Sequence, residues 1–96
     1  MLVLRVLQGG PVHGYAIAQR IHALSSDQLQ VEEGSLYPAL QRILVKGWAR
    51  AAWGRSETGR RVRFYSLTAS GRRQLESEVV DYERVSAAIR TVLRTA

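Results

Sequence analysis

The last third of the chain carries an apolar repeat that favours one long helix. Its repeat positions are separated by 4, 3, 4, 3 and 4 residues, the heptad-like spacing of a helix that packs along another helix. The members of this seam are Leu75, Val79, Tyr82, Ser86, Ile89 and Leu93, with Ser86 as the polar interruption. A helix of about 27 residues extends ~40 Å, which is more than the width of a domain of this size.

Part of that helix should therefore overhang its own domain and need a partner. Val85, Ala88 and Val92 widen the apolar stripe beyond what one neighbouring helix covers. A symmetric homodimer supplies the missing partner from a second copy of the chain. The alternative is a helix that folds back on its own domain. We expect residues 68–96 to form a dimerisation helix, packed on the same single domain as residues 1–67.

The net charge of +6 is concentrated in one segment. Residues 1–41 carry a net charge of −1, residues 42–67 one of +6 and residues 68–96 one of +1. Glu57 is the single anion of the middle segment, and its cations are Arg42, Lys46, Arg50, Arg55, Arg60, Arg61 and Arg63. Focused positive charge attracts a polyanion, and nucleic acid is the first candidate. A solvated basic face is the alternative.

The residues just before and inside this basic segment predict an amphipathic helix from Ser35 to Lys46. Ser35 suits the N-cap, Pro38 falls in the first turn and Gly47 suits the position just past the end. The inner face is Leu36, Leu40, Ile43 and Leu44. The outer face is Ser35, Tyr37, Pro38, Gln41, Arg42, Val45 and Lys46. Short polar groups followed by cations are what a helix needs to enter a DNA major groove N-terminus first. An ordinary surface helix remains the alternative.

Two strands should follow this helix. The β-forming residues of Trp48–Trp53 and Val62–Leu67 flank Gly54–Arg61, whose two glycines and three arginines predict an exposed hairpin tip. Upstream, residues 2–8 and His13–Leu24 read as helices, and Leu29–Val31 as a very short strand. Three helices, a basic hairpin and a long helix predict a winged helix-turn-helix of the mainly α (α+β) class.

Other classes of function find little support in the sequence. Without cysteine the chain has no disulfide or thiolate metal site, which suits a cytoplasmic protein. His13 and His22 lie nine residues apart, on opposite sides of a helix, so they should not share a metal. No glycine-rich phosphate loop is present. We therefore expect neither an enzyme nor a bound cofactor or metal. The apolar residues 2–7, interrupted by Arg5, are too few to span a membrane.

Several motifs, in order and at matching spacing, resemble the PadR family of bacterial transcriptional regulators in its short form with one C-terminal helix. They are Gly10–Tyr15 with Ile17 and Ala18, Glu33–Leu40, Trp53–Gly54, Glu57, Gly59–Arg61, Tyr65–Thr68 and Gly71–Arg72. The resemblance covers nearly the whole chain, and its hairpin is most similar to the acidobacterial-type subgroup.

The resemblance implies a homodimeric repressor that binds an inverted repeat of double-stranded promoter DNA. By the family pattern, Ser35, Tyr37 and Pro38 meet the major groove. Gly14 and Tyr15 lie near a backbone phosphate. The wing residues that reach phosphates or the minor groove are Gly59, Arg60, Arg61 and Arg63. The last helix, together with the first, is expected to form the dimer.

Residue chemistry adds three DNA contacts and leaves alternatives open. Gln41 could pair with adenine, and Arg42 with guanine or with a phosphate, whereas Lys46 suits a phosphate contact. A different class of function is a winged-helix module that binds protein instead of DNA. A further alternative keeps the DNA role and adds a small-molecule effector of unknown identity in the dimer interface.

Overall fold

The computed structural model describes residues 1–95, and Ala96, the last residue of the predicted dimerisation helix, lies outside them. Four helices and three strands occupy the described chain. They are α1 (Leu2–Leu7), β1 (Val12–His13), α2 (Gly14–Leu24), α3 (Glu33–Val45), β2 (Ala49–Arg55), β3 (Arg61–Leu67) and α4 (Ala69–Thr95). The predicted mainly helical α+β class, with a hairpin before a long last helix, is confirmed.

The hydrophobic core lies where α1, α2 and α3 meet the base of the sheet. Ile17 and Ile21 of α2 are buried one helical turn apart, as the apolar spacing predicted. The core also contains Leu4, Val6, Leu7, Val12, Leu36, Leu40, Ile43, Ala49, Tyr65 and Leu75. Leu44 is only partly buried against this core, so the inner face of α3 is narrower than predicted.

The central strand of the antiparallel sheet is β3, in the order β1–β3–β2. β2 and β3 pair from Ala49 opposite Leu67 to Arg55 opposite Arg61. Both strands run further toward the tip than predicted, which leaves residues 56–60 as the turn. The ladder extends because each added pair satisfies backbone groups that would otherwise need other partners.

The connection between α2 and α3 contains no strand, so the prediction around Leu29 and Val31 is wrong. Side chains instead bind the backbone of Leu29. Its N–H donates to Ser25 Oγ at 2.9 Å, and His22 Nδ1 donates to its carbonyl at 3.0 Å. With both backbone groups taken, Leu29 is not available to a strand ladder. The short strand of the sheet is β1, which precedes α2.

α3 begins two residues earlier than predicted, and Ser35 is not its cap. Glu32 takes the N-cap position with an extended backbone, and its carbonyl accepts the Ser35 N–H at 3.0 Å. Pro38 consequently lies in the second turn rather than the first. Because proline has no N–H, the Gly34 carbonyl lacks its partner within the helix.

α4 is anchored to the base of the hairpin by Thr68. Its Oγ1 accepts the Gly71 N–H at 3.0 Å, the interaction typical of a helix N-cap, and donates to the Gly47 carbonyl at 2.7 Å. The Thr68 N–H donates to the Trp48 carbonyl at 3.0 Å. Gly47 has a φ of +73°, the left-handed conformation predicted for the end of α3. The ends of α3, β2 and α4 are thereby joined.

Only the first part of α4 packs on the body of the protein. Gly71 and Leu75 are buried and Val79 packs against the core, whereas every residue from Val80 to Thr95 except Ser86 is exposed. The molecule measures 55 × 29 × 22 Å along its principal axes. The predicted overhang of the last helix therefore exists in the protomer.

Candidate nucleic-acid interface

The outward face of α3 is open to solvent. Leu36 and Leu40, on the inner face, are each only 1% exposed. The outward residues predicted to contact DNA are all exposed, and they are Ser35, Tyr37, Pro38, Gln41, Arg42 and Lys46, the last directly after the helix. Since α3 turns about 100° per residue, this separation follows from the sequence pattern. Short polar groups lie in its first turns and the cations near its end.

The start of α2 packs against the first half of α3. A Cβ at the buried Gly14 would lie 3.2 Å from Cε1 of Tyr37, so glycine lets the tyrosine ring approach the α2 backbone. Tyr37 is nevertheless 48% exposed, and Tyr15 is exposed beside it. Gly14, Tyr15 and Tyr37 line one groove. The predicted backbone-contact residues and the first turns of α3 thus share a surface.

The tip of the β2–β3 hairpin is held by its own hydrogen bonds. The Ser56 N–H donates to the Arg60 carbonyl at 2.8 Å, and the Gly59 N–H donates to the Ser56 carbonyl at 2.9 Å. Arg55 Nη1 donates to the Gly59 carbonyl at 3.0 Å. Gly59 has a φ of +82°, which glycine adopts without a steric penalty. This ordered turn presents Arg60 and Arg61 as exposed side chains.

The hairpin sorts its side chains onto two faces. Paired residues point to the same face and successive residues alternate, so Trp53 shares a face with Arg63 opposite it and with Arg61 diagonal to it. The other face carries Phe64, whose ring lies so close to Gly54 that a Cβ there would be 2.9 Å away. Arginines and an indole therefore gather on one side of the hairpin.

Trp53 is a residue of this surface that the sequence analysis did not select. It is 61% exposed, and the guanidinium carbons of Arg61 and Arg63 lie 4.7 and 6.0 Å from its ring centroid. These distances are within the range of cation–π interactions. The sequence could have indicated this contact, because Trp53 and Arg63 are separated from Thr58, at the centre of the tip, by the same number of residues. A hairpin folded about that centre pairs them.

Two grooves separate the hairpin from the helices. The larger, of about 640 Å³, lies between the hairpin tip and α2 and has Arg20, Arg55, Arg60 and Arg61 among its lining residues. The smaller, of about 240 Å³, lies between the hairpin and α3 and has Tyr15, Tyr37, Trp53, Arg63 and Tyr65 among its lining residues. Both are open to solvent and bordered by cations.

The positive charge of residues 42–67 is not neutralised within the described chain. All seven cations of this segment are exposed. In residues 1–95 the ion pairs within 4 Å lie in other segments, between Met1 and Glu78, His22 and Asp27, and Arg84 and Asp81. The cationic surface is therefore free to attract an external anion.

The predicted α4 seam has two parts. Leu75 is 3% exposed in the core of the protomer itself, and Val79 packs against that core. Tyr82, Ile89 and Leu93 are exposed, and Ser86 between them is half-buried. Val85 and Val92 add to the exposed apolar stripe, as predicted. The first two seam residues thus hold α4 on its own body, and the last four remain accessible.

Within residues 1–95, no helix is both long and apolar enough to cross a membrane. The same residues contain no group of three histidine, aspartate or glutamate side chains that could hold a metal ion. His22 Nε2, in the last turn of α2, lies 3.2 Å from Asp27 Oδ1 in the connection that follows this helix.

The fold and its charged surface define a winged helix-turn-helix protein. α2 and α3 are the two helices of the motif, and the β2–β3 hairpin is the wing. The model of the transcriptional regulator PadR-like family matches residues 3–77, and the chain belongs to this family.

Solved structures of the same fold cover almost the whole chain. A PadR-like transcriptional regulator of Bacillus cereus is 25% identical, with a TM-score of 0.79 over 95% of this chain and 86% of its own. A PadR family transcription regulator of Clostridium difficile is 24% identical, with a TM-score of 0.81 over 96% of this chain and 94% of its own.

Sequence relatives differ in how much of their length is shared. A 37.1 kDa protein of transposon TN4556 from Streptomyces fradiae is 42% identical over 89 residues, which are 93% of this chain. The chain spans only 24% of that protein's length. A protein of Lysinibacillus sphaericus is 27% identical over 88 residues, 92% of this chain and 81% of its own.

Proposed function

We propose that this PadR-family regulator is a homodimeric repressor that binds an inverted-repeat operator in double-stranded DNA. The observation that carries the proposal is the set of seven exposed, unneutralised cations of residues 42–67, spread over the end of α3 and the wing. A surface of this kind binds the phosphate backbone and makes the affinity dependent on salt.

In this proposal α3 enters the major groove with its first turns leading. Ser35, Tyr37 and Pro38 would meet base edges or sugars, and Gln41 would pair with adenine. Arg42 would contact guanine or a phosphate, and Lys46 a phosphate. Their exposure on one face of α3 supports this assignment.

The wing and the start of α2 would contact the backbone on either side of that groove. Arg60, Arg61 and Arg63 would reach phosphates or the minor groove, with Gly59 providing the turn that exposes them. Gly14 and Tyr15 would lie beside a phosphate. Support comes from the shared groove between α2, α3 and the wing.

The dimer in this proposal forms through the accessible part of α4. Residues 1–67 would contact DNA, and residues 68–96 would pair two protomers through Tyr82, Ser86, Ile89 and Leu93. An exposed apolar stripe on a helix that extends beyond its own body needs cover from solvent. A symmetric pair would also place two α3 helices on an inverted repeat.

A small-molecule effector in that interface is a second part of the proposal. The observation that favours it is a shallow apolar groove of about 320 Å³ on α4, lined by Arg84, Val85, Ala88, Ile89, Val92 and Leu93. A ligand held there between two protomers would change their spacing on DNA. Thermal-shift screening with and without operator DNA tests for such a ligand.

The direct test is an electrophoretic mobility shift with the DNA upstream of the gene. We expect a discrete complex with that fragment and a weaker one with unrelated DNA of the same length. Ser35→Ala and Tyr37→Phe should change the ratio of the two affinities by roughly 5- to 100-fold, since a base contact is worth about 1–3 kcal/mol of discrimination.

Ser77→Ala, exposed on α4 and outside both the proposed DNA contacts and the predicted seam, is the matched control and should leave both affinities unchanged. The outcome that favours a protein-binding module instead is the absence of any complex with upstream DNA at low salt.

A further inference from the structure

The arginines of the wing form an unfavourable arrangement on the bare protein. Arg55 and Arg61 lie directly opposite each other in the β2–β3 ladder, and Arg63 lies two residues further along the same face. Like charges opposite each other on a sheet face destabilise it. The guanidinium of Arg55 donates to the Gly59 carbonyl. The positive charges of Arg61 and Arg63 need a different favourable interaction.

The indole of Trp53 accommodates both of these guanidinium groups. Its centroid is 4.7 Å from the guanidinium carbon of Arg61 and 6.0 Å from that of Arg63. The Arg63 guanidinium also lies 5.8 Å from the ring of Tyr65, which is buried in the core. One arginine is thus held between a surface ring and a core ring, and the second lies over the surface ring alone.

Burial does not explain the presence of tryptophan at this position. Trp53 leaves 61% of its surface exposed, more than any other aromatic side chain of residues 1–95. Its exposed ring borders the groove between the wing and the first half of α3, with Tyr15 and Tyr37 on the opposite wall. A large exposed ring in contact with two cations, beside a groove, suits the alignment of those cations.

We propose that Trp53 is a positioning residue of the wing, whose indole aligns Arg61 and Arg63 for binding to the DNA backbone, Arg63 at the groove beside α3 and Arg61 at the groove beside α2. The inference rests on the proposed function and deepens it. The DNA strand between the major groove, read by α3, and the minor groove, reached by the wing, would lie along the groove between the wing and α3 and pass over the arginine face of the wing. Two aligned guanidinium groups would meet its phosphates with little loss of side-chain freedom.

The test compares two replacements that differ in their aromatic character. Trp53→Phe keeps a π-face, and Trp53→Leu keeps an apolar side chain without one. Trp53→Leu should weaken operator binding roughly 10- to 30-fold, because two arginines in each of two protomers lose a contact. Trp53→Phe should weaken binding by no more than about threefold. Equal affinities of the two variants would overturn the inference.

A double-mutant cycle separates positioning from direct contact with DNA. In a protein that already carries Arg61→Ala and Arg63→Ala, Trp53→Leu should cost less than about twofold, because there is no guanidinium left to align. The same loss in both backgrounds would mean that the indole itself contacts DNA and would overturn the inference. Should Trp53→Leu fold poorly, Trp53→Gln offers a second side chain without a ring for the same cycle.

A measurement without DNA distinguishes failure of this inference from failure of the proposed function. The Nε–H resonances of Arg61 and Arg63 should be shifted upfield by the indole in the free protein and return to ordinary positions in Trp53→Leu. Ordinary positions in the wild type would overturn the inference even if the protein binds DNA. A wild type that shows the shifts but binds no promoter DNA would contradict the proposed function alone.

Discussion

At the scale of single residues, glycine fixes how closely the elements approach. Gly71 lies in the first turn of α4, and a Cβ there would be 1.9 Å from the Trp48 carbonyl oxygen. That oxygen already accepts the Thr68 N–H at 3.0 Å, so it cannot move away without breaking the joint between β2 and α4. Gly71 is therefore required by packing, although its helical backbone conformation suits any residue.

Gly71→Ala should lower the free energy of unfolding by about 1–3 kcal/mol or more, because α4 must shift away from a backbone carbonyl that has no space to yield. Chemical denaturation followed by circular dichroism measures the change. Gly34→Ala is the matched control, since it is also a helical glycine but has no atom within 4 Å of the added Cβ. Its stability should be unchanged or slightly raised. Equal effects of the two substitutions would show that the contact at Gly71 is not limiting.

At the scale of elements, the sequence predicted most of the architecture, but it missed the strand β1 and misplaced the start of α3. The hairpin and the length of α4 followed from local patterns. The two-residue β1 has no pattern of its own and exists only because β3 offers it an edge. The start of α3 was misplaced because Ser35 suits a cap by residue type, whereas Glu32 takes that position.

The candidate DNA-binding surface was likewise predictable only in part. Exposure along α3 follows from helical periodicity, so every predicted contact residue of that helix is exposed. Other contacts join residues of different elements. The Tyr37 ring of α3 packs against Gly14 of α2, and Trp53 of β2 contacts two arginines of β3. Periodicity within one element cannot predict such meetings. Leu75 and Val79 illustrate this too, since their seam positions are used by the protomer's own core.

For α4, the replacement of Ile89 and Leu93 by glutamate should convert a dimer into a monomer. Both side chains are exposed on the accessible part of the seam, so the substitutions spare the protomer core, unlike a change at Val79. Charges placed on both faces of a symmetric contact repel and lose solvation. Light scattering should report half the mass of the wild type. Ala87→Glu with Thr91→Glu, on the opposite side of α4, adds the same charge and should leave the dimer intact.

A wild type that is already monomeric at micromolar concentration would contradict the proposed dimer. A dimer that persists after the Ile89 and Leu93 substitutions would show that its interface is not the accessible part of α4.

At the scale of the whole molecule, charge and apolar surface are assigned to different elements. The positive charge lies on the end of α3 and the wing, and the exposed apolar stripe lies on the projecting part of α4. The end of α3 and the wing are therefore suited to bind a polyanion, and the projecting part of α4 is suited to bind a second copy of the chain. A dimer built through α4 would therefore present two cationic surfaces at once, and the affinity for DNA should depend on both.

The salt dependence of binding to the upstream DNA tests this account most directly. If a dimer neutralises roughly 8–12 phosphates, the log–log slope of affinity against salt should be about −7 to −11. Arg60→Ala with Arg61→Ala removes four cations per dimer and should make that slope shallower by about 3–4, with affinity lost for all sequences alike. A slope near zero, or a steep slope that the double substitution leaves unchanged, would contradict the account.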